Sequence, residues 1–341
     1  MNKIKPYKFN LNKSNTSTST TPLTTYFLLL FLLLSTIITG CTTIDRDKLL
    51  GIEGNNHIPR KFGATYMTMD NPYFVALNER IREEVEANGD ILITRDPAQN
   101  QEKQNDQIFE MINDEVVAIF VNPVDWKEIG VALKACSEAG IPVFNIDTYV
   151  YHAQYIVSSI VSDNYDAGVQ IAEDVMKKKD HAKIVIINDD VINSTKLRVK
   201  GFLDTIKGYD GYEVVIQEKS SSELELSMEK MNEILKTGVE FDVALGGNDP
   251  TALGILASLQ MNHSDGEVLL YGVDGSPDGK AMVENGLMEG TSAQFPYNIG
   301  KTACDVAYQY LSGKAVERTI KVPVDLITTD NLAEYDVTSW Q

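Results

Sequence analysis

The chain has 341 residues and a formal charge of −19; its first 40 residues hold four lysines and no acid, so the 301 residues after them carry −23. A surface this acidic repels phosphate backbones, whose binding rests on Lys and Arg, and this excludes nucleic acid as a partner. The length suits about two domains at roughly 150 residues each.

Taken in order, the first feature is Tyr26–Ile38, 13 uncharged residues behind a basic leader. A membrane-spanning helix needs about 20 residues, so this stretch is predicted to be a signal-peptide core. Ile38-Thr39-Gly40-Cys41 follows at once and resembles the lipobox of bacterial lipoproteins. That resemblance implies removal of residues 1–40, acylation of Cys41, and an exported protein lipid-anchored to the bacterial cell membrane. Residues 41–60 read as a tether, polar and without helical or strand period. Cys136 and Cys304 lie in apolar-periodic segments and read as small core residues, with no spacing that suggests a disulfide or a metal.

From Lys61 the pattern alternates. Strand Lys61–Met67 runs into Asp70-Asn71-Pro72, and Phe74, Leu77, Ile81 and Val85 then mark one face of a helix closed by Gly89. Strand Ile91–Ile93, helix Gln104–Ile112, strand Val116–Val121, helix Trp126–Ala139 and strand Pro142–Ile146 follow, and Tyr155–Val161 leads to Val161-Ser162-Asp163-Asn164. There the same rhythm restarts. Helices Tyr165–Lys178, Lys196–Ile206, Leu224–Leu235, Thr251–Met261 and Asp278–Asn285 alternate with strands Ile184–Ile187, Tyr212–Ile216, Val243–Leu245, Val268–Val273 and Thr291–Gln294. Helix Tyr297–Leu311 and a strand near Val322-Pro323-Val324 close the chain. Val/Ile runs alternating with amphipathic helices predict an α/β protein of two doubly wound parallel-sheet domains with a cleft between them.

In open parallel sheets, ligands lie beyond the carboxyl ends of the strands. Those ends carry Asn71, Asn122, Asp147, Asn248, Asp274 and Gln294, with Tyr73 and Phe74 beside the first. Amides donate and accept while carboxylates accept, a set matched to an uncharged ligand with many hydroxyls whose C–H faces meet aromatic rings. Any single Asn or Asp could instead cap a helix, and Tyr73 and Phe74 could be core. G-x-G-x-x-G, P-loop, G-x-S-x-G and H-E-x-x-H motifs are absent, and the four His are scattered. No metal, no cofactor and no covalent chemistry are expected. Asp274–Gly279 looks like the start of a calcium loop, but the twelfth position is Asn285 rather than Glu, which counts against one.

These residues, in this order, resemble the ribose-type family of bacterial periplasmic sugar-binding proteins, the substrate receptors of ABC transporters. Asp70-Asn71-Pro72-Tyr73-Phe74, Asn122-Pro123-Val124-Asp125, Ser162-Asp163-Asn164, Gly247-Asn248-Asp249, Val273-Asp274-Gly275, Ala293-Gln294 and Pro323-Val324-Asp325 carry the likeness over about residues 61–327. The resemblance implies the type I periplasmic binding protein fold, with residues 61–162 and 295–323 in one domain and 163–294 and 324–341 in the other. Three hinge crossovers fall near Ser162, Gln294 and Pro323. It also implies a monomer that binds a carbohydrate or polyol and delivers it to an ABC permease, with Asn71, Tyr73, Phe74, Asn122 and Asp147 contributing from the first domain and Asn248 and Asp274 from the second, Gln294 standing at the hinge.

Three departures matter for specificity. Thr148 and Lys196 stand where the ribose-type pattern has Arg, with Arg198 nearby, and Ser222 stands in place of an aromatic. Arg and Lys are not equivalent at bidentate contacts, so tight ribose binding is not expected, and the pocket is expected to be either roomier or lined differently, with Tyr149 or Tyr151 as the candidates. Two other roles fit the same residues: a co-receptor for a membrane sensor kinase or chemoreceptor, and an exported glycosidase using Asp147 with Asp274.

Overall fold

The computed structural model describes residues 58–341 apart from 265 and 267. The signal-peptide core, Cys41 and most of the tether lie outside the described residues. Twelve strands are described. The first five are β1 (Lys61–Thr65), β2 (Ile91–Arg95), β3 (Ala118–Val121), β4 (Val143–Asp147) and β5 (Ser158–Ser162). After them come β6 (Ala182–Asn188), β7 (Tyr212–Lys219), β8 (Val243–Gly246), β9 (Leu269–Asp274), β10 (Gly290–Ala293), β11 (Thr319–Val322) and β12 (Asp325–Thr328). The helices flanking β1–β5 are α1 (Pro72–Ala87), α2 (Gln101–Asn113) and α3 (Gly130–Glu138). The rest are α4 (Asn164–Lys178), α5 (Asn193–Ile206), α6 (Leu224–Lys236), α7 (Asp249–Met261), α8 (Pro277–Glu284) and α9 (Pro296–Leu311).

The strands form two six-stranded sheets, ordered β11-β5-β4-β3-β1-β2 and β12-β10-β9-β8-β6-β7. All neighbours are parallel except β10 and β12, which run antiparallel. This is the doubly wound pattern expected, built twice. The chain passes between sheets after Ser162, after Ala293 and after Val322. At the first passage the Asp163 side chain caps α4, and its carboxylate receives the Lys321 ammonium of β11 at 3.0 Å, tying two of the passages together.

Each sheet is covered on both faces. In the first lobe, Phe62, Phe120 and Phe144 are fully buried under α1 and α9, with successive ring centroids 6.2 and 5.9 Å apart. Burial of each such side chain contributes roughly 1.5–3 kcal/mol. In the second, α4 and α5 meet backbone to backbone: a Cβ added at Gly168 would stand 1.8 Å from the Arg198 carbonyl oxygen, and one at Gly201 would stand 2.0 Å from the Tyr165 carbonyl oxygen. Cys136 and Cys304 are buried and free.

Besides shifts of up to three residues at element ends, two predicted elements differ. The helix expected from Trp126 begins only at Gly130, because the Asp125 carboxylate accepts from the Lys127 and Glu128 amides and holds a turn there. The single strand expected near Pro323 is two strands in different sheets, since Pro323 has no N–H to give to a ladder.

Candidate functional site

The carboxyl ends of both sheets open on one cavity of about 660 Å³, within the range of small-molecule sites. Residues of the two lobes meet directly. Gln99 Nε2 donates to Glu223 Oε1 at 3.4 Å, and the Lys196 ammonium lies 5.9 Å from the centre of the Trp126 ring.

On the first lobe, the loop after β1 ends in Asn71, whose side-chain oxygen accepts from the Tyr73 amide at 2.9 Å and caps α1. Asn71 therefore does both things weighed for it, capping a helix and lining the cavity. Pro72 starts the helix and sets Tyr73 and Phe74 on the cavity wall, rings edge to face with centroids 5.3 Å apart. Asp147 ends β4 with φ of 68°, a left-handed backbone that is uncommon outside Gly. Asn122 Nδ2 donates to Asp147 Oδ2 at 2.8 Å while Asn122 Oδ1 accepts from the Met67 amide. Asn122 is fully buried behind Asp147 and is not a lining residue, so its observed part is to orient that carboxylate.

On the second lobe, Asn248 caps α7 by accepting from the Thr251 amide, and its Nδ2 donates to the Ser222 carbonyl. Asp274 ends β9 with φ of 139°, the same location in its sheet as Asp147 in the other. Its Oδ1 accepts from Gln294 Nε2 at 2.7 Å and lies 3.5 Å from Arg198 Nη1. Arg198 is 4 % exposed, donates to Asn164 Oδ1 at 2.7 Å and to the Gly247 carbonyl at 2.8 Å, and lines the cavity. The Asn of the crossover segment thus orients the one guanidinium on the cavity wall. Asp249, fully buried beneath, accepts from Ser276 and Thr291.

Burial drives the electrostatics. It pushes the Asp147 carboxyl up to about 6 against the opposing pull of Arg198, Tyr73 and Asn122. It raises Asp274 to about 7 against Arg198, with the neighbouring Asp249 adding to the rise, and it raises Asp249 as well. The Tyr73 hydroxyl is pushed well up by burial and by the charges of Asp147 and Asp274. It acts on Asp147 as a hydrogen-bond donor, whereas Gln294 Oε1 is without a partner. Among the described residues no group of three or more His, Cys, Asp or Glu side chains is placed to hold a metal ion.

Asn71, Tyr73, Phe74, Asp147, Arg198, Asn248, Asp274 and Gln294 all line the cavity. Lys196, two residues from Arg198 on the same helix, does not; its ammonium stands over the Trp126 ring. Tyr149 and Tyr151 are not lining residues either: Tyr151 is 61 % exposed and its ring leans on Trp126. Ser222 does line the cavity, at φ of 63°. Gln99, Asp189, Thr195 and Glu223 line it too and escape the sequence reading. Asp189 was within reach, since it follows β6 as Asn122 follows β3. The edge-strand loops holding Gln99 and Glu223 carry no motif.

Two doubly wound lobes sharing a crevice at the carboxyl ends of their strands form the architecture of a solute-binding protein. The model of the family described as "Periplasmic binding protein domain" matches residues 62–315. The chain belongs to that family, whose members are extracytoplasmic binding proteins and not enzymes. The ribose import binding protein of Bacillus subtilis is 28 % identical over 268 residues, covering 78 % of this chain and 86 % of the relative. A solute-binding protein of an ABC transporter from Bacillus halodurans C-125, solved with bound myo-inositol, superposes with a TM-score of 0.78 at 24 % identity, over 82 % of this chain and 98 % of that one. The Caulobacter myo-inositol binding protein, bound to myo-inositol, gives 0.76 at 25 %, over 81 % and 97 %.

Proposed function

We propose that this protein captures a sugar or sugar-like polyol between its lobes and delivers it to an ABC importer, held at the outer face of the cell membrane by a lipid on Cys41. The observation that carries the reading is the pairing of Asp147 and Asp274, one from each lobe, on a cavity that also holds the Tyr73 and Phe74 rings. Carboxylates accept from hydroxyls, and the rings cover C–H faces. Because each lobe supplies part of the grip, ligand favours the closed form, in keeping with the hinge closure by which periplasmic binding proteins surround their ligands. The names of the relatives, ribose import and myo-inositol binding, agree with the ligand class. Thr148, where the ribose-type pattern has Arg, argues against ribose itself.

The test is a melting-temperature screen of the folded portion against monosaccharides and cyclitols, followed by calorimetry, since a ligand bound only by the native state raises its melting point. A polyol is expected to stabilise it and ribose to bind weakly. Tight ribose binding would refute the specificity argument, and no response to any polyol would refute the reading as a whole. For the anchor, Cys41→Ala is expected to move the protein from the membrane pellet to the soluble fraction.

A further inference from the structure

The charges on the cavity do not balance. On its wall lie two buried carboxylates, Asp147 and Asp274, each 5 % exposed, against one guanidinium, Arg198; beneath it the fully buried Asp249 has the fully buried Lys280 as a further charged neighbour. Nearer the mouth the lining adds Asp70, Asp189, Glu223 and Glu225, and no second Lys or Arg. A buried charge must be paired or neutralised, and Arg198 is already engaged by Asn164, Gly247 and Asp274.

The unmet hydrogen-bonding capacity has the same sense. Gln294 Oε1 is unpartnered, on a residue 2 % exposed that lines the cavity. Asp147 receives a bond from Asn122 on Oδ2, and Asp274 receives its bond from Gln294 on Oδ1. The second oxygen of each carboxylate and the Gln294 carbonyl are acceptors that a hydroxyl meets with one proton. An ammonium meets them with three and brings the missing charge.

We infer that the solute bears a protonated amine among its hydroxyls, held between Asp147, Asp274 and Gln294, so that the ligand class is an amino sugar or aminocyclitol. This rests on the solute-receptor reading above and narrows it. Without such a ligand, the same surplus is relieved by protons, in keeping with the raised Asp147 and Asp274.

The experiment is titration calorimetry at pH 7.5 with matched pairs: D-glucosamine against D-glucose, D-galactosamine against D-galactose, and an aminodeoxy-inositol against myo-inositol. At least one amine is expected to bind ten-fold or more tightly than its parent, with the advantage lost on N-acetylation and cut below three-fold by Asp274→Asn. Should that variant fail to fold, Asp147→Asn makes the same comparison. Parents that bind as well as their amines in every pair overturn the amine while leaving the polyol receptor intact, as does an advantage that survives both Asn variants. Silence from parents and amines alike overturns both.

Discussion

Trp340 stands edge-on to Tyr73, ring centroids 5.6 Å apart and planes at 77°. The tail that delivers it is fastened to the second lobe, where the fully buried Lys280 donates to the carbonyls of Asp336 and Ser339 at 2.5 and 2.6 Å, while Trp340 itself packs on the core of the first lobe. A cavity-wall ring in one lobe is thus braced by a segment secured to the other. Trp340→Ala is expected to cost about 2 kcal/mol of stability and to weaken ligand binding several-fold, with Trp340→Phe retaining most of both. Calorimetry and thermal melts check this; unchanged affinity in Trp340→Ala would show that the brace does not reach Tyr73.

Arg198 holds Asn164, Gly247 and Asp274 together. Arg198→Met leaves Asp274 buried without its cation, a change of the type that costs about 3–5 kcal/mol. Arg198→Lys cannot reproduce the fork and is expected to behave nearly as badly in ligand binding. Adding Asp274→Asn to Arg198→Met is expected to restore part of the stability. A double variant no more stable than the single one in denaturant melts would contradict the pairing.

Gly168 has no room for a methyl group, since its Cβ would fall 1.8 Å from the carbonyl oxygen of Arg198. Gly168→Ala must push α5 from α4, at a cost of about 1–3 kcal/mol, and Arg198 rides on the displaced turn. Reduced affinity together with lower stability is expected. By contrast, Lys196→Ala, on the same helix but facing Trp126, should alter affinity less than three-fold, and a larger loss would place Lys196 on the ligand.

The pH profile follows from the raised carboxyls. Asp147 and Asp274 titrate at about 6 and about 7 in the folded protein against an ordinary 3.8, with Arg198, Tyr73 and Asp249 as the charged and titratable neighbours. The folded state therefore holds more protons than the unfolded state across this window. The contribution is present in full below the ordinary value and is lost as pH rises through about 6 and then about 7, by at most ~1.4 kcal/mol per pH unit for each group. Melts of the ligand-free protein should reveal Asp147→Asn and Asp274→Asn gaining on the parent between pH 4 and 8. Parallel profiles would refute the assignment.

Much of this architecture is legible along the chain because a parallel sheet covered on both faces leaves uninterrupted apolar strands, and because Asp and Asn at their ends stand out against them. Local chemistry hides the rest. The Asp125 turn that delays α3, and Pro323 dividing β11 from β12, are decisions of single side chains within an otherwise regular pattern. Lys196 and Arg198 look equally eligible in sequence, yet two helical steps are roughly 200° of rotation, so only one can face inward. Trp340 is illegible for a different reason: nothing near it in sequence announces that it will meet Tyr73. Asn122 stands at a strand end like the others, but its place behind Asp147 is a matter of depth, which composition does not encode.

The two sheets repeat one strand order, so Asp147 and Asp274 are counterparts, both at positive φ. Arg198, on the helix after β6, has no counterpart on α1, the helix after β1, which presents Tyr73 and Phe74 instead. A guest in this crevice therefore meets matching acids on two sides but a cation on one flank and aromatic carbon on the other. Pose is dictated by that mismatch between the halves, and new selectivities would be reached soonest by redrawing the unpaired positions while leaving the mirrored ones alone.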